Sequence, residues 1–315
     1  MTKNHAGINR YIGNPTLISS TARGIFKMQD QLGLKVNSAW VKDGLTSATA
    51  GVSAAQLKSD FGYNTDGVYW INLPTVGPTQ IYCIMNSAYD GGGWMMAMKA
   101  TTGTTFSYYS NYWTTTNTLN PTDNTRNNAD AKYNTFNYFK AKDLLAIWPD
   151  ITTGTGGSIT GQGVWTWLED NFYYYFGNGY VNTNIELVNF FNSNIGIGYA
   201  PGGSGLFKKD AKTFSGWASG TFSSQVDIRF YGFNYVNNPN FNTAGAVRWG
   251  FGWNENGEGI YPSITQSTVY LGSNDVSGGI GMDAGFGSYS AGDKINCCND
   301  TTGINRSARV EMYVR

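Results

Sequence analysis

The chain has 315 residues, and its 21 Lys and Arg balance 21 Asp and Glu, so it carries no formal net charge. That balance excludes the basic excess of a nucleic-acid binder, and no apolar run reaches the length of a membrane span. Charged residues are 13% while aromatics are 15% and glycines number 41, which predicts a loop-rich β protein with a surface of amides and hydroxyls.

The first residues, "MTKNHAGINRYIGNPT", are polar and read as no signal peptide. Residues 1–46 form an N-terminal segment with one short helical pattern (Ile25, Phe26, Met28, Leu32, Leu34) that runs on to Trp40. It is too short to bury a core, so it is expected either to be disordered or to pack on another protein. "KDGLTSATAGVS" (residues 42–53) reads as a linker. "SAAQLKSD" predicts a short helix capped by Ser53, with Gln56 three residues on. "DGVYWINL" and "PTQIYCIM" predict a β-hairpin, and "GGGWMMAMKA" a further strand entered through a glycine hinge.

Turn residues dominate "NPTDNTRNNADAKYNTFNYF" until its aromatics begin. "AKDLLAIW" (residues 141–148) is predicted as a helix stopped by Pro149, and "TTGTGGSITGQG" as a surface loop. "VWTWLEDNFYYYF" predicts a strand or short helix, and "QVDIRFYGFNY" a strand. "SARVEMYVR" predicts a last strand with Ala308, Val310, Met312 and Val314 on one face. No internal repeat is present. Cys83, Cys297 and Cys298 are odd in number and two are adjacent, so reduced thiols and folding in a reducing cytosol are expected.

"DGVYWINL…IYCIMNSAYDGGGW" resembles the entry to the fibrinogen C-terminal-like domain, in particular its intelectin branch. "YNTFNYFKAKDLLAIW", "VDIRFYGFN", "GEGIYPS" and "ARVEMYVR" follow in that family's order, so the likeness runs from about residue 50 to the last residue. The resemblance implies an α+β fold over residues 47–315: a twisted antiparallel sheet, few short helices and long loops. In the family the cysteine at the place of Cys83 bonds to one in the preceding helix. Here that position is Ala54 and the helix's second cysteine position is Phe61, which implies a Cys83 that is buried and unpaired. "TARGIFKMQDQLGLKVNSAW" resembles segments of tailed-bacteriophage structural proteins. It implies a virion protein assembled in the host cytoplasm, docked on other virion proteins through residues 1–46, and present in many copies.

Intelectins hold sugar diols through calcium, and the resemblance places that site on "GFGWNENGEGIYPS". Asn254 matches the first ligand, Asn256 replaces a Glu, Gly257 a His and Ser263 a carboxylate. Asn254, Glu255, Asn256 and Glu258 remain as oxygen donors for calcium, and the same run also reads as an ordinary surface turn. Ala284 stands where the family has a tryptophan. The implied glycan surface is therefore Trp253, Asn254, Asn256, Glu258, Phe286 and Tyr289. Asp275 and Asp283 are candidates for a second, structural calcium, or else turn formers.

The one histidine, His5, lies in the N-terminal segment, which argues against His-based triads and His-metal sites. Glu169 and Glu186 are the carboxylates left for glycoside cleavage, and no spacing supports them. The expected function is adhesion to host cell-surface glycan by a non-enzymatic tail fibre, head fibre or capsid decoration, without membrane insertion or nucleic-acid binding. A ligand-free decoration protein and a polysaccharide-degrading enzyme are the other readings, in that order.

Overall fold

Ser53 ends an extended stretch and starts the first helix, α1 (Ala54–Phe61). Its hydroxyl accepts from the Gln56 N–H at 3.0 Å, and the Gln56 side chain accepts from the Val52 N–H at 3.2 Å. The first bond satisfies an N–H that the helix itself leaves unmet, as the Ser cap predicts, while the Gln56 side chain reaches one residue further back than the cap itself. The helix stops where Gly62 turns left-handed, at φ 69°. The computed structural model describes residues 41–89, 91–149, 164–167, 171–173, 180–182, 185–192, 231–236, 246–254, 275–284, 287–295 and 304–315. They belong to two units, one ending at Gly93 and the other beginning at Trp94.

In the first unit, β1 (Gly67–Leu73) and β2 (Gly77–Ile84) form the expected antiparallel hairpin, with Gly67 opposite Cys83 and Leu73 opposite Gly77. Alternation buries Ile71, Leu73, Ile81 and Cys83 on one face. The Asp66 carboxylate holds the open end, accepting from the backbone N–H groups of Met85 at 2.7 Å and Asn86 at 2.9 Å. Cys83 is fully buried and free, as expected, and desolvation pushes its thiol pKa well above the ordinary value. The glycine hinge is also as expected, since Gly91, Gly92 and Gly93 all have positive φ. A Cβ on Gly92 would stand 2.3 Å from the Asn86 carbonyl oxygen, so this turn admits no side chain.

Residues 42–53 are a correction, because they do not form a free linker. The Trp70 N–H donates to the Gly44 carbonyl at 2.8 Å, the Gly51 N–H to Trp70 at 2.9 Å, and the Asn72 N–H to Gly51 at 2.7 Å. The segment thus lies along the edge of β1, with Gly51 in a parallel bridge to Ile71. Leu57 fills the space where side chains on Gly44 and Gly51 would stand. Small residues read as a linker are small because the helix packs against them.

The second unit opens with β3 (Trp94–Ala100), whose seven residues are all buried. After a 3-10 turn (Asn111–Trp113) come β4 (Ala131–Lys132), α2 (Asn134–Tyr138), β5 (Lys140–Ala141), β6 (Leu144–Trp148) and β7 (Val164–Trp167). Then follow β8 (Asn171–Tyr173), β9 (Tyr180–Asn182), β10 (Ile185–Glu186) and α3 (Leu187–Asn192). The last strands are β11 (Tyr231–Val236), β12 (Ala246–Asn254), β13 (Asp275–Ala284), β14 (Gly287–Ile295), β15 (Ile304–Ser307) and β16 (Val310–Val314). Within this unit β16 lies antiparallel between β3 and β6, with β7 on the far side of β6 and β4 on β3. A five-stranded antiparallel sheet runs in the order β11-β12-β13-β14-β15, and β8–β9 and β5–β10 are small pairs. The protein is sheet-rich α+β, with three short α-helices among the described residues.

The helix predicted over 141–148 is a strand, β6. All five of its residues are buried and it is paired on both edges, so it shows no in-out alternation. An apolar run of that length has the same pattern in a buried strand and a buried helix. β16 is the expected last strand, and both of its faces are buried, Glu311 included.

Two charges lie inside this sheet. Lys99 on β3 stands opposite Glu311 on β16, and both are about 1% exposed. Lys99 Nζ donates to Asp123 Oδ2 at 2.7 Å, to the Thr125 carbonyl at 2.8 Å and to Asn127 Oδ1, which uses all three of its hydrogens. Glu311 Oε2 accepts from Arg126 Nε at 2.7 Å and from the Tyr313 hydroxyl at 2.8 Å. The turn-rich 120–130 loop is thus held down by buried charges. Burial raises the Asp123 pKa, but the hydrogen bonds from Lys99 and Thr125 and the Lys99 charge outweigh it and bring it to about 2.

Lys132 is fully buried as well, and no carboxylate pairs with it among the described residues. Its ammonium donates to the Thr115 carbonyl at 2.6 Å and lies 4.6 Å from the centre of the Phe136 ring. Phe136 belongs to a run of rings (Trp113, Phe191, Phe190, Phe233, Trp249) that links the 3-10 turn, the helices and the five-stranded sheet.

Two outcomes follow. A chain beginning at Gly51 is expected to melt several degrees below one beginning at Val41. It loses the Trp70–Gly44 hydrogen bond, worth about 1 kcal/mol net, and the cover over Leu57. Differential scanning calorimetry of the two chains decides this. Burial lowers the Lys132 pKa from 10.5 to about 7, so between those values the unfolded chain binds the extra proton. Stability is therefore expected to rise with pH across that window, by at most about 1.4 kcal/mol per unit. Urea titrations of the Lys132→Met variant, set beside the parent, should show the slope removed.

Candidate functional site

The register of β12 against β13 decides which predicted residues meet. Asn254 stands opposite Asp275 and Trp253 opposite Val276, while Ala246 stands opposite Asp283 at the other end. The register thus places Asn254 and Asp275 at one end of the strand pair. Asp275 and Asp283 are eight residues apart along β13, about 26 Å at the rise of a strand, so one ion cannot take both. Glu255, Asn256, Glu258 and Phe286 lie outside the described residues. Glu186, in β10, accepts from the Asn189 amide at 2.9 Å, and Glu169 lies outside the described residues.

The Asp283 end carries a surface that the sequence alone did not single out. Asp283 Oδ1 accepts from the Ser288 hydroxyl at 3.0 Å, and the two residues are opposed on β13 and β14. Tyr289 is opposed to Met282 instead, so the hairpin presents it on the face away from Asp283. On the Asp283 side lies the 106–110 loop. It is fixed to the sheet by the Phe106 N–H donating to Ser290 Oγ at 2.9 Å and the Tyr108 N–H to the Met282 carbonyl at 3.3 Å. Trp113 Nε1 closes the loop on itself by donating to the carbonyls of Phe106 and Ser107.

Arg248 ties this loop to two other elements. Its Nε donates to the Tyr108 carbonyl at 2.8 Å, and its Nη1 to Asn234 Oδ1 at 2.8 Å and the Phe191 carbonyl at 3.2 Å. The guanidinium also lies over the Tyr108 ring, 4.1 Å from its centre. Asn234 is nearly buried and held at φ 49°, a conformation that a side chain adopts at a cost. Gly281, at φ 66°, leaves room for the Arg248 stem, which a Cβ there would meet at 2.7 Å. Burial lowers the Arg248 pKa, yet a guanidinium remains protonated at neutral pH.

This scaffold presents Tyr109, 69% exposed, with its ring edge-on to Tyr108 at 5.0 Å. Burial and the nearby Asp283 raise the Tyr109 pKa, against the pull of Arg248, so the phenol stays neutral at physiological pH and keeps its hydroxyl proton. Burial raises Tyr108 to about 12. The result is an exposed ring, on a loop fixed to the sheet, near a carboxylate that holds a hydroxyl. Such a group covers an apolar ligand face while polar atoms fix its orientation. The signal available in the sequence was faint: one arginine inside the apolar run "AVRWGFGW", and paired tyrosines among serines in "FSYYS".

Among the described residues, no three His, Cys, Asp or Glu side chains gather as a metal group, and no helix is long and apolar enough to cross a membrane. No family model matches the chain, and no curated protein matches it.

Proposed function

We propose that the chain is a surface protein of a tailed-phage virion, with a fibrinogen/intelectin-like domain that adheres to host cell-surface glycan. The observation that carries adhesion is Tyr109: a large exposed ring on a loop fixed by Arg248, with Asp283 and Ser288 beside it. Exposed single aromatics are common, but few are held in place on such a scaffold. The Ser53-capped helix, the hairpin and the glycine hinge support the fibrinogen-like reading, from which the unpaired Cys83 departs. Of the N-terminal segment 1–46, the part ahead of Val41 would supply the docking on other virion proteins, since Gly44 is bonded to Trp70, and many copies turn weak single contacts into avidity.

The test is multivalent display of the full chain on host cells. The Tyr109→Ala and Asp283→Ala variants are expected to bind at least tenfold more weakly at an unchanged melting temperature. Unchanged binding would remove Tyr109 from the adhesive surface. Absence of binding by the parent would favour a decoration protein without a ligand.

Calcium enters this reading at the other end of β13. Asp275 and Asn254 give one carboxylate and one amide there, against the six to eight oxygens calcium takes, and Glu255, Asn256 and Glu258 would supply the remainder. An ion bound there in the native state alone raises stability by mass action. Added calcium is expected to raise the melting temperature and a chelator to lower it. A melting curve indifferent to both rejects the ion.

A further inference from the structure

The outward face of the β1–β2 hairpin has no role in the reading above. Its cross-strand pairs are Val68 with Tyr82, Trp70 with Gln80, and Asn72 with Pro78. Val68 is 43% exposed, Asn72, Pro78 and Gln80 are exposed, and Trp70 and Tyr82 are half-buried. Trp70 and Tyr82 are diagonal neighbours, about 7–8 Å apart along the sheet and close enough for the rings to form one surface. None of the six side chains carries a charge at neutral pH.

We propose that this face is a second glycan platform, for an uncharged pyranose chain, independent of the Tyr109 surface. Its polar groups decide between occupants. The side-chain amides of Asn72 and Gln80 and the Trp70 indole N–H have no hydrogen-bond partner among the described residues. An apolar protein surface laid over them would bury these groups unpaired, at about 1–3 kcal/mol each. A sugar brings its own hydroxyls to the amides and its C–H faces to the rings. The absence of charge suits a neutral chain rather than a uronate or a phosphate polymer. Addition of a protein strand at the free edge of β1 is blocked, because Gly44 and Gly51 already hold its backbone.

The experiment titrates the full chain with cellohexaose, maltohexaose, laminarihexaose and chitohexaose, followed by calorimetry. At least one is expected to bind. Trp70→Ala should weaken that binding tenfold or more, and Gln80→Ala, an exposed position with no packing to lose, severalfold at an unchanged melting temperature. Tyr109→Ala should leave it intact. The proposal is overturned if none of the four binds, or if affinity survives both Trp70→Ala and Gln80→Ala. Loss of binding in Tyr109→Ala with retention in Trp70→Ala overturns it too, and leaves adhesion through Tyr109 standing. Mass photometry provides the last arm: a dimer that Trp70→Ala dissolves would make this face a contact between copies.

Discussion

The second unit depends on a pair of opposite charges placed face to face inside a sheet. Lys99 and Glu311 occupy opposed positions on β3 and β16, where every neighbour along either strand is buried. Desolvating each ion costs several kcal/mol, and such a position is tolerable only when partners replace the lost water. The 120–130 loop supplies nearly all of them. Asp123, Thr125 and Asn127 surround the ammonium, and Arg126 reaches the carboxylate. A loop without regular structure is thereby ordered by the sheet's need for counter-charges. Asp130 extends the arrangement, accepting from the Thr101 N–H at 2.7 Å just past the end of β3.

The Tyr109 surface repeats this logic with one cation and neutral acceptors. Arg248 is drawn into the unit by the Tyr108 ring and by three oxygens, from the 106–110 loop, α3 and β11. Backbone carbonyls and an amide disperse the charge without fixing it to a carboxylate. Asp283 has one oxygen engaged by Ser288. The residues that hold the loop are therefore not the one it exposes. Side chains that hold the loop are half-buried or buried, while the ring they present is exposed.

Local signals made the first unit readable. The Ser53 cap, the Asp66-Gly67 turn, the alternation of the hairpin and the run of glycines each act within a few residues, and each appears where it was expected. The second unit was less readable because β3, β6 and β16 are buried on both faces, so their sequences carry no periodicity. "LLAIW" suits a helix or a strand until its neighbours on either side are known. The charges inside "WMMAMKA" and "VEMYV" were visible as anomalies, but only the register shows that they oppose one another. Residues 42–53 misled for another reason: smallness demanded by Leu57 looks the same as smallness chosen for flexibility. The Tyr109 surface joins residues more than a hundred positions apart, so no local pattern announces it.

Cys83 has a consequence for where the first unit can exist. A thiol that is fully buried, raised in pKa by desolvation and without a second cysteine neither forms a thiolate readily nor exchanges with glutathione or an oxidant. The folded unit is therefore indifferent to redox potential. It needs no oxidising compartment to mature and has no covalent bond to lose in a reducing one, so the same packing serves on both sides of a cell envelope.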